Sequence, residues 1–215
     1  ENCSNSDDSE ILKNALHSKE EIIDIGHAGT AMRFLTAYFA AKEGKEVILT
    51  GSKRIQERPV GILVEALKDL GAEIDYQEKE GFSPLKIKGK KLIKDTVKIN
   101  PGVSSQFITA LCLIAPFLPN GLTIHLTGEI TSASYLQMTF SLLEKLGVVF
   151  HFQGNRIEIQ ALEKPKTLHF TVESDWSSAS YFYGLMALSK GGNISLKHFS
   201  ENSLQIGNIE ILANK

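Results

Sequence analysis

The sequence has 215 residues, about one and a half domains of ordinary size. With 42% hydrophobic and 22% charged residues, its composition is that of a folded globular protein and excludes disordered, collagen-like and low-complexity classes. The 23 Lys and Arg residues against 25 Asp and Glu leave a net charge of -2, so the chain as a whole does not attract nucleic acid or anionic lipid. Any binding of anions must therefore be local.

The ends of the chain and its cysteines indicate the class of protein. The sequence begins with Glu1 rather than Met and has no signal-peptide pattern, so we expect an internal piece of a longer protein in the cytoplasm. Cys3 and Cys112 are too far apart to suggest a disulfide framework, and the six His residues show no ligand spacing, so no metal site is predicted. The apolar stretch from Phe107 to Leu118 is too short to span a membrane.

Three segments of the chain resemble one another. Each opens with small or hydroxyl residues, continues as an apolar helix, and is followed by a run typical of a strand. The helical segments are Ala28 to Ala37, Val103 to Ala110 and Ser177 to Tyr183, and the strands are Val47 to Gly51, Thr123 to Gly128 and Asn193 to Leu196.

A second pair of helices repeats with the same spacing. Pro59 to Gly71 and Ser134 to Gly147 both carry apolar residues at helical intervals and end in Gly, with Pro59 expected in the first turn. Leu70 and Leu146 are 76 positions apart, which indicates a repeat of about 75 residues.

Each repeat ends in a predicted strand pair. The pairs are Ala72 to Tyr76 with Leu85 to Lys88, and Val148 to Phe152 with Arg156 to Ile159. The order within a repeat is therefore helix, strand, helix, strand, strand. A unit with its own sheet and helices predicts a mixed α/β, pseudo-symmetric globular lobe rather than an extended solenoid.

Several predicted helices start with residues that suit anions. These starts are Gly29-Thr30, Ser104 to Gln106, and Ser132 to Tyr135. Free amide groups and the helix dipole attract phosphate or carboxylate there, although Ser and Thr also serve as ordinary N-caps.

Arg58 indicates an anion site more specifically than these helix starts do. It precedes Pro59 and so falls at about the N-cap of a helix, where the dipole disfavours a positive charge unless an anion lies between them or a carboxylate such as Glu57 pairs with it. Arg33 and Arg54 are candidates for the same cluster, because Arg binds carboxylate and phosphate in bidentate fashion.

Other groups have simpler interpretations. The six Lys between Lys86 and Lys98 alternate with apolar residues and predict the solvent face of a strand rather than a nucleic-acid patch. Cys112 is expected in the core, and Asp175 is expected to cap a helix.

Four motifs together resemble the EPSP synthase family, whose members are 3-phosphoshikimate 1-carboxyvinyltransferases. They are Gly26-His-Ala-Gly-Thr-Ala-Met-Arg33, Glu57-Arg-Pro-Val-Gly61, Ser104-Ser-Gln-Phe-Ile-Thr-Ala110 and Asp175-Trp-Ser-Ser-Ala-Ser-Tyr181. The resemblance covers nearly the whole chain in the family's order.

The resemblance implies a fold and a reaction. The family's fold has two lobes, each built from three βαβαββ units, and it closes over its substrates without a cofactor. Its members move the enolpyruvyl group of phosphoenolpyruvate to the 5-hydroxyl of shikimate 3-phosphate and release phosphate. A monomer is expected for the full enzyme, with neither nucleic acid nor a membrane as partner.

The resemblance also assigns binding residues. It implies that shikimate 3-phosphate is bound by Ser104, Ser105, Gln106, Ser132 and Tyr135, and that phosphoenolpyruvate is bound by Gly29, Arg58 and Gln106. His27 stands where the family commonly has Asn, and Ala133-Ser134 stands where it usually has a basic residue and Pro.

The resemblance leaves the catalytic residues outside this chain. The family's acidic proton-transfer residues are expected after Lys215, so the chain is predicted to be inactive alone. Residues 1–172 are predicted to form most of the N-terminal substrate-binding lobe and 173–215 the start of the C-terminal lobe. The alternatives are an enzyme like UDP-N-acetylglucosamine carboxyvinyltransferase, and a binding lobe without catalysis.

Overall fold

The structure is a computed structural model that describes residues 1–100, 102, 104–128, 133–164 and 167–199, with only the backbone at 133 and 134. The chain divides into two compact units. The larger is Asn5–Leu168, and the smaller combines Glu1–Ser4 with the chain from His169 onward. No helix in the described ranges is long and apolar enough to cross a membrane.

The larger unit contains one βαβαββ unit followed by a second. After helix α1 (Asp7–His17), the first has β1 (Ile22–Asp24), α2 (Gly29–Ala41), β2 (Glu46–Thr50), the short α3 (Lys53–Gln56), α4 (Gly61–Asp69), β3 (Glu73–Tyr76) and β4 (Leu85–Lys88). The second has β5 (Thr96–Ile99), α5 (Ser105–Ile114), a 3-10 turn (Ala115–Phe117), β6 (Leu122–Leu126), α6 (Ala133–Lys145), β7 (Phe150–Gln153) and β8 (Arg156–Ile159).

The two sheets have the same topology. The strand order is β1-β2-β4-β3 in the first sheet and β5-β6-β8-β7 in the second. In each sheet the first two strands are parallel and the remaining pairs are antiparallel, with Ile23 opposite Leu49 and Val97 opposite Ile124. The repeat expected from spacing is therefore confirmed, and the opening strands β1 and β5 complete each unit.

Helices α2 and α5 lie inside the larger unit. Nine residues of the thirteen in α2 are buried and seven of the ten in α5, so both helices are apolar on nearly all sides. By contrast, α6 buries one stripe, Leu136, Phe140 and Leu143, at helical spacing. The strands alternate in burial, as β2 does with Val47 and Leu49 inward, so each sheet presents its other face to water.

Helices α4 and α6 end in the same way. After α4, Gly71 has φ +105° and its amide donates to the Lys68 carbonyl, while the Ala72 amide donates to Leu67. After α6, Gly147 has φ +86° and the same two bonds run to Glu144 and Leu143. Both are Schellman endings, which satisfy the last carbonyls and need a residue that tolerates positive φ.

Three local predictions need correction. Helix α4 begins at Gly61, so Pro59 precedes the helix rather than lying in its first turn. The Lys-rich stretch is not one strand, because β4 ends at Lys88 and β5 begins at Thr96 in the other sheet, with Ile93 exposed between them. Residues 193–196 form no strand, because no neighbour in the described part of the chain supplies a ladder of hydrogen bonds.

The lysines of β4 and the following turn belong to a solvated ion-pair face. Lys86 pairs with Glu46 at 2.8 Å, and Lys90 pairs with Glu73 at 2.7 Å. The Lys86 ammonium lowers the pKa of Glu46 below its ordinary value, first through a hydrogen bond and then through its charge. Such exposed pairs add little stability, but each of these lysines already has a carboxylate as its partner.

The smaller unit contains helix α7 (Trp176–Leu188), which Asp175 caps as expected. Its carboxylate accepts from the amides of Ser177 at 3.0 Å and Ser178 at 3.1 Å. Burial raises the pKa of Asp175, but the hydrogen bonds from Ser178 and Ser177 outweigh it and hold that pKa below its ordinary value. The capping bonds therefore hold at neutral pH and are lost as the pH falls through the lowered pKa.

The Schellman ending of α4 gives a stability prediction. Replacing Gly71 with Ala forces a Cβ into left-handed backbone at φ +105°, although that Cβ would meet nothing within 4 Å. The free energy of unfolding of Gly71→Ala should fall by about 1 kcal/mol in urea titrations. Gly71→Asn is the control and should lose less, since Asn tolerates this conformation. Equal losses for Ala and Asn would contradict the backbone explanation.

Candidate anion-binding site

The start of α2 carries amide groups with no acceptor in the described structure. The N-cap residue is Ala28, whose side chain cannot accept a hydrogen bond, and the Met32 amide is the first to find a helical carbonyl, that of Ala28. Among the described residues, nothing accepts from the amides of Gly29, Thr30 and Ala31. Because such amides and the helix dipole attract negative charge, the start of α2 is suited to an anion.

The start of α5 lies beside the start of α2. Gln106 in the first turn of α5 donates from Nε2 to Thr30 Oγ1 at 3.2 Å, across 76 positions of sequence. Equivalent turns of the two repeats are therefore in contact. Ser104 is an N-cap, since its Oγ accepts from the Gln106 amide at 3.2 Å, and the hydroxyl of Ser105 follows in the first turn of α5. For Ser104, the capping interpretation is thus correct.

Two guanidinium groups lie against Gly29. A Cβ built on Gly29 would overlap Arg58 Nη1 and would lie 2.9 Å from Arg33 Nη1. Arg33 Nη1 donates to the Gly29 carbonyl at 2.5 Å, so this side chain folds back over the first turn of its own helix. Glycine at position 29 is what allows both positive groups to approach the helix start.

The charges on this pair are not neutralised by carboxylates. Within the described ranges, no Asp or Glu forms an ion pair with Arg33 or Arg58. Arg33 is 6% exposed, and its buried Nε has no hydrogen-bond partner in the same ranges. Burial, and then the charge of Arg58, lower the pKa of Arg33 from its ordinary value. The site is therefore strongly positive.

Arg58 does not lie at the start of α4, contrary to the prediction from its position before Pro59. The N-cap of α4 is Val60, and the amides of Val60 and Gly61 both donate to the Gly81 carbonyl, at 2.9 and 3.1 Å. That carbonyl fills the place at which an anion was expected. The Arg58 side chain instead reaches Gly29 at the start of α2.

The loops that hold this site follow the carboxyl ends of the parallel strands β1 and β2. The Ser52 amide donates to the Gly26 carbonyl at 2.8 Å, and Ser52 Oγ lies 2.9 Å from His27 Nδ1. A Cβ on Gly51 would come within 2.9 Å of the Gly26 carbonyl. His27 is exposed, and its ring joins the two loops at this edge of the sheet.

The other predicted residues lie apart or outside the described residues. Ser132 is outside them. Tyr135 is 60% exposed in the first turn of α6, whose Thr139 lies 3.5 Å from Thr109 of α5 between their hydroxyl oxygens. Arg54 is exposed on α3, and none of its atoms is among the three nearest to a Cβ on Gly29, which belong to Arg33 and Arg58.

An apolar cleft lies elsewhere. It has a volume of about 400 Å³ and is lined by the later turns of α2 with α1 and the end of α5, including Phe34, Tyr38 and Ile114. Lys42 is the charged residue among its lining groups, so it does not suit a polyanion. Cys112 is buried in the core, which raises the pKa of its thiol to about 12 and leaves it unreactive.

The geometry of the charged cluster defines what it can do. Amides, hydroxyls, one carboxamide and two guanidinium groups all donate hydrogen bonds to oxygen anions, and Arg forms bidentate pairs with phosphate or carboxylate. The cluster has no carboxyl, imidazole or thiol group, since it consists of Gly29, Thr30, Arg33, Arg58, Ser104, Ser105 and Gln106. The cluster is therefore suited to binding and orienting anions, and proton transfer would need other groups.

Comparison with known proteins identifies the family. Residues 5–215 match the sequence model of the family described as EPSP synthase (3-phosphoshikimate 1-carboxyvinyltransferase). The chain belongs to the EPSP synthase family.

Named relatives of this family share the sequence. A 3-phosphoshikimate 1-carboxyvinyltransferase from Bacteroides fragilis strain YCH46 is 45% identical over 204 residues, which are 95% of this chain and 50% of the relative. One from Colwellia psychrerythraea is 43% identical over 189 residues, covering 84% of this chain and 42% of the relative. The chain thus spans about half the length of these EPSP synthases.

The fold comparison agrees with the family. The EPSP synthase of Acinetobacter baumannii superposes with a TM-score of 0.73, covering 92% of this chain and 43% of that structure. At 24% identity this likeness concerns the fold alone. The predicted mixed α/β fold of repeated βαβαββ units is therefore confirmed.

Some residues of the site were not evident from the sequence. Gly81 caps α4 from a loop twenty residues further along the chain, and Phe107 lies beneath Arg33, with its ring centre 5.8 Å from the guanidinium carbon. The proximity of Gly81 to α4 has no local sequence signal. The contact of Thr30 with Gln106 likewise has no local sequence signal, because the two residues are 76 positions apart.

Gly29 provides a test of the cluster's geometry. In Gly29→Ala the new methyl group displaces the Arg58 guanidinium, so the affinity for inorganic phosphate should fall about tenfold, the effect of losing one charged hydrogen-bond partner. Affinity is measured by NMR titration and stability by thermal unfolding. Gly184→Ala is the control, since its Cβ would meet nothing within 4 Å. Phosphate affinity equal to wild type in Gly29→Ala would mean that Arg58 does not bind the anion from this position.

Proposed function

We propose that this chain positions the substrates of a 3-phosphoshikimate 1-carboxyvinyltransferase. The reaction transfers the enolpyruvyl group of phosphoenolpyruvate to the 5-hydroxyl of shikimate 3-phosphate and releases phosphate. The observation that supports this proposal is the meeting of the α2 and α5 starts through Thr30 and Gln106, beside the unneutralised Arg33 and Arg58. Both substrates carry a phosphate and a carboxylate, which such a cluster of donors suits.

The two substrates use neighbouring parts of the cluster. Gly29 and Arg58 hold phosphoenolpyruvate through the open amides of α2 and a guanidinium, and Ser104 and Ser105 hold shikimate 3-phosphate at the start of α5. Gln106 lies where these two parts meet and contacts both ligands. Ser132 and Tyr135 complete the shikimate 3-phosphate side, where the substrate's ring and hydroxyls need donors of moderate strength.

The reaction also needs acid and base groups. The methylene of phosphoenolpyruvate gains a proton and becomes a methyl group, while the 5-hydroxyl loses its proton as its oxygen bonds to the adjacent carbon. In a later step the methyl group loses a proton as the C–O bond to phosphate breaks, which restores the double bond and releases phosphate. The side chains of the cluster orient the reacting atoms, and proximity of this kind contributes much of a two-substrate rate enhancement. The 215-residue chain therefore binds its substrates without turnover, and no cofactor is required.

Titration calorimetry on the 215-residue chain tests the binding proposal. Shikimate 3-phosphate should bind, phosphoenolpyruvate should bind more tightly in its presence, and UDP-N-acetylglucosamine should not bind. Gln106→Ala should weaken both substrates by about 10- to 100-fold, because it removes hydrogen bonds to charged ligands. Gln77→Ala, at an exposed position outside the cluster, is the matched control. Binding of the UDP sugar alone would indicate the sister carboxyvinyltransferase activity, and no binding would leave only a scaffold role.

A phosphate-release assay tests whether the 215-residue chain catalyses the reaction by itself. The full-length gene product should release phosphate only when both substrates are present, and the 215-residue chain should show no release above background. Release by the 215-residue chain at a rate near that of the full-length protein would contradict the proposal that proton transfer needs groups outside the cluster.

A further inference from the structure

Arg33 has a position that the assigned ligand contacts do not explain. It is 6% exposed in an interior helix, its Nε has no hydrogen-bond partner in the described structure, and no described carboxylate neutralises it. A buried, uncompensated guanidinium costs folding free energy. A methionine of similar length would fill the same space without that cost, so the charge serves something other than packing.

Arg33 contacts the first turns of both interior helices. Its Nη1 donates to the Gly29 carbonyl at 2.5 Å, and its guanidinium lies above the ring of Phe107 in α5. These contacts hold the guanidinium between Gly29 and Phe107. The Arg58 guanidinium lies beside it against the same side of Gly29, and Arg58 is exposed whereas Arg33 is buried.

We infer that Arg33 is a positioning residue for the anion site, which holds the Gly29 backbone and keeps the Arg58 guanidinium turned toward the ligand without touching the ligand itself. The inference rests on the proposed function and adds a residue to it. Two like charges repel, so the fixed, buried Arg33 keeps the exposed Arg58 guanidinium from moving further inward past Gly29. An arriving phosphate or carboxylate then meets an arginine that is already oriented and a helix start that is already positive.

The inference predicts opposite effects on stability and on binding. Arg33→Met in the full-length gene product should have a melting temperature equal to or above wild type, since it removes a buried charge and an unpartnered Nε. In the presence of saturating shikimate 3-phosphate, its Kd for phosphoenolpyruvate should rise about tenfold, while the Kd for shikimate 3-phosphate stays within about twofold of wild type. A merely structural role predicts a lower melting temperature and weaker binding of both substrates.

A double-mutant cycle with Arg58→Met tests whether Arg33 acts through Arg58. The double variant should bind phosphoenolpyruvate no more weakly than Arg58→Met alone, within about twofold. If the increase in Kd of the double variant is instead the product of the increases in the two single variants, Arg33 acts on the ligand independently of Arg58. That result would overturn the positioning role. Arg54→Met, an exposed arginine outside the cluster, is the control for the loss of one positive charge.

The remaining outcomes separate the inference from the proposed function. If Arg33→Met does not fold, Arg33→Lys is tested in its place. Because Lys lacks the planar guanidinium, the Kd for phosphoenolpyruvate should rise about fivefold in Arg33→Lys, while the Kd for shikimate 3-phosphate stays unchanged. Wild-type affinity for phosphoenolpyruvate in Arg33→Met or Arg33→Lys overturns the inference alone. Failure of the wild-type protein to bind phosphoenolpyruvate beside shikimate 3-phosphate overturns the proposed function, and the role of Arg33 with it.

Discussion

The structure depends on burying two helices almost completely. Because α2 and α5 are apolar on nearly all sides, they pack against each other, α2 also against the first sheet and α5 against α6, and their first turns meet at Thr30 and Gln106. A helix start has amides without helical partners, and these need an acceptor from a side chain, a neighbouring loop or a ligand. For α5 the hydroxyl of Ser104 supplies part of this need, whereas the Ala28 N-cap of α2 supplies none. The amides that the fold leaves without an acceptor are thus the same amides that make the site suited to an anion.

Repetition of the βαβαββ unit brings such starts together. Each parallel strand pair sends its crossover helix away from the same edge of its sheet, so equivalent residues of the two repeats can become neighbours in space. The repeats then differ where function requires it. Gly29 admits two guanidinium groups at the first start, while the second has the hydroxyls of Ser104 and Ser105. One lobe can thereby hold two anionic ligands side by side with different donors.

Much of this was predictable from the sequence, and the rest depended on contacts between distant residues. Apolar spacing and the glycines after α4 and α6 gave the repeat, and strands β4 and β8 have the expected bounds. The start of α4 was misplaced because the carbonyl that caps it belongs to Gly81, on a loop that no local pattern connects to Val60. For the same reason its position before Pro59 placed Arg58 at the start of α4, whereas its side chain reaches Gly29 at the start of α2, the residue with which the family resemblance grouped it. Residues 193–196 have strand-like composition, yet a strand also needs a partner, which composition does not specify.

The distribution of acidic residues completes the electrostatic argument. Helix α1 has Asp7, Asp8 and Glu10 in its first turn, which complement the dipole and satisfy a helix start in the usual way. Helices α2 and α5 have no acidic residue there, although one would stabilise each helix and could pair with Arg33 or Arg58. A carboxylate at either start would also cancel the field that attracts an anion. Acidic residues are also absent from the first turns of α4, α6 and α7, so the feature that distinguishes these two starts is the buried Arg33 beside them, a charge that a fold selected for stability alone would not keep.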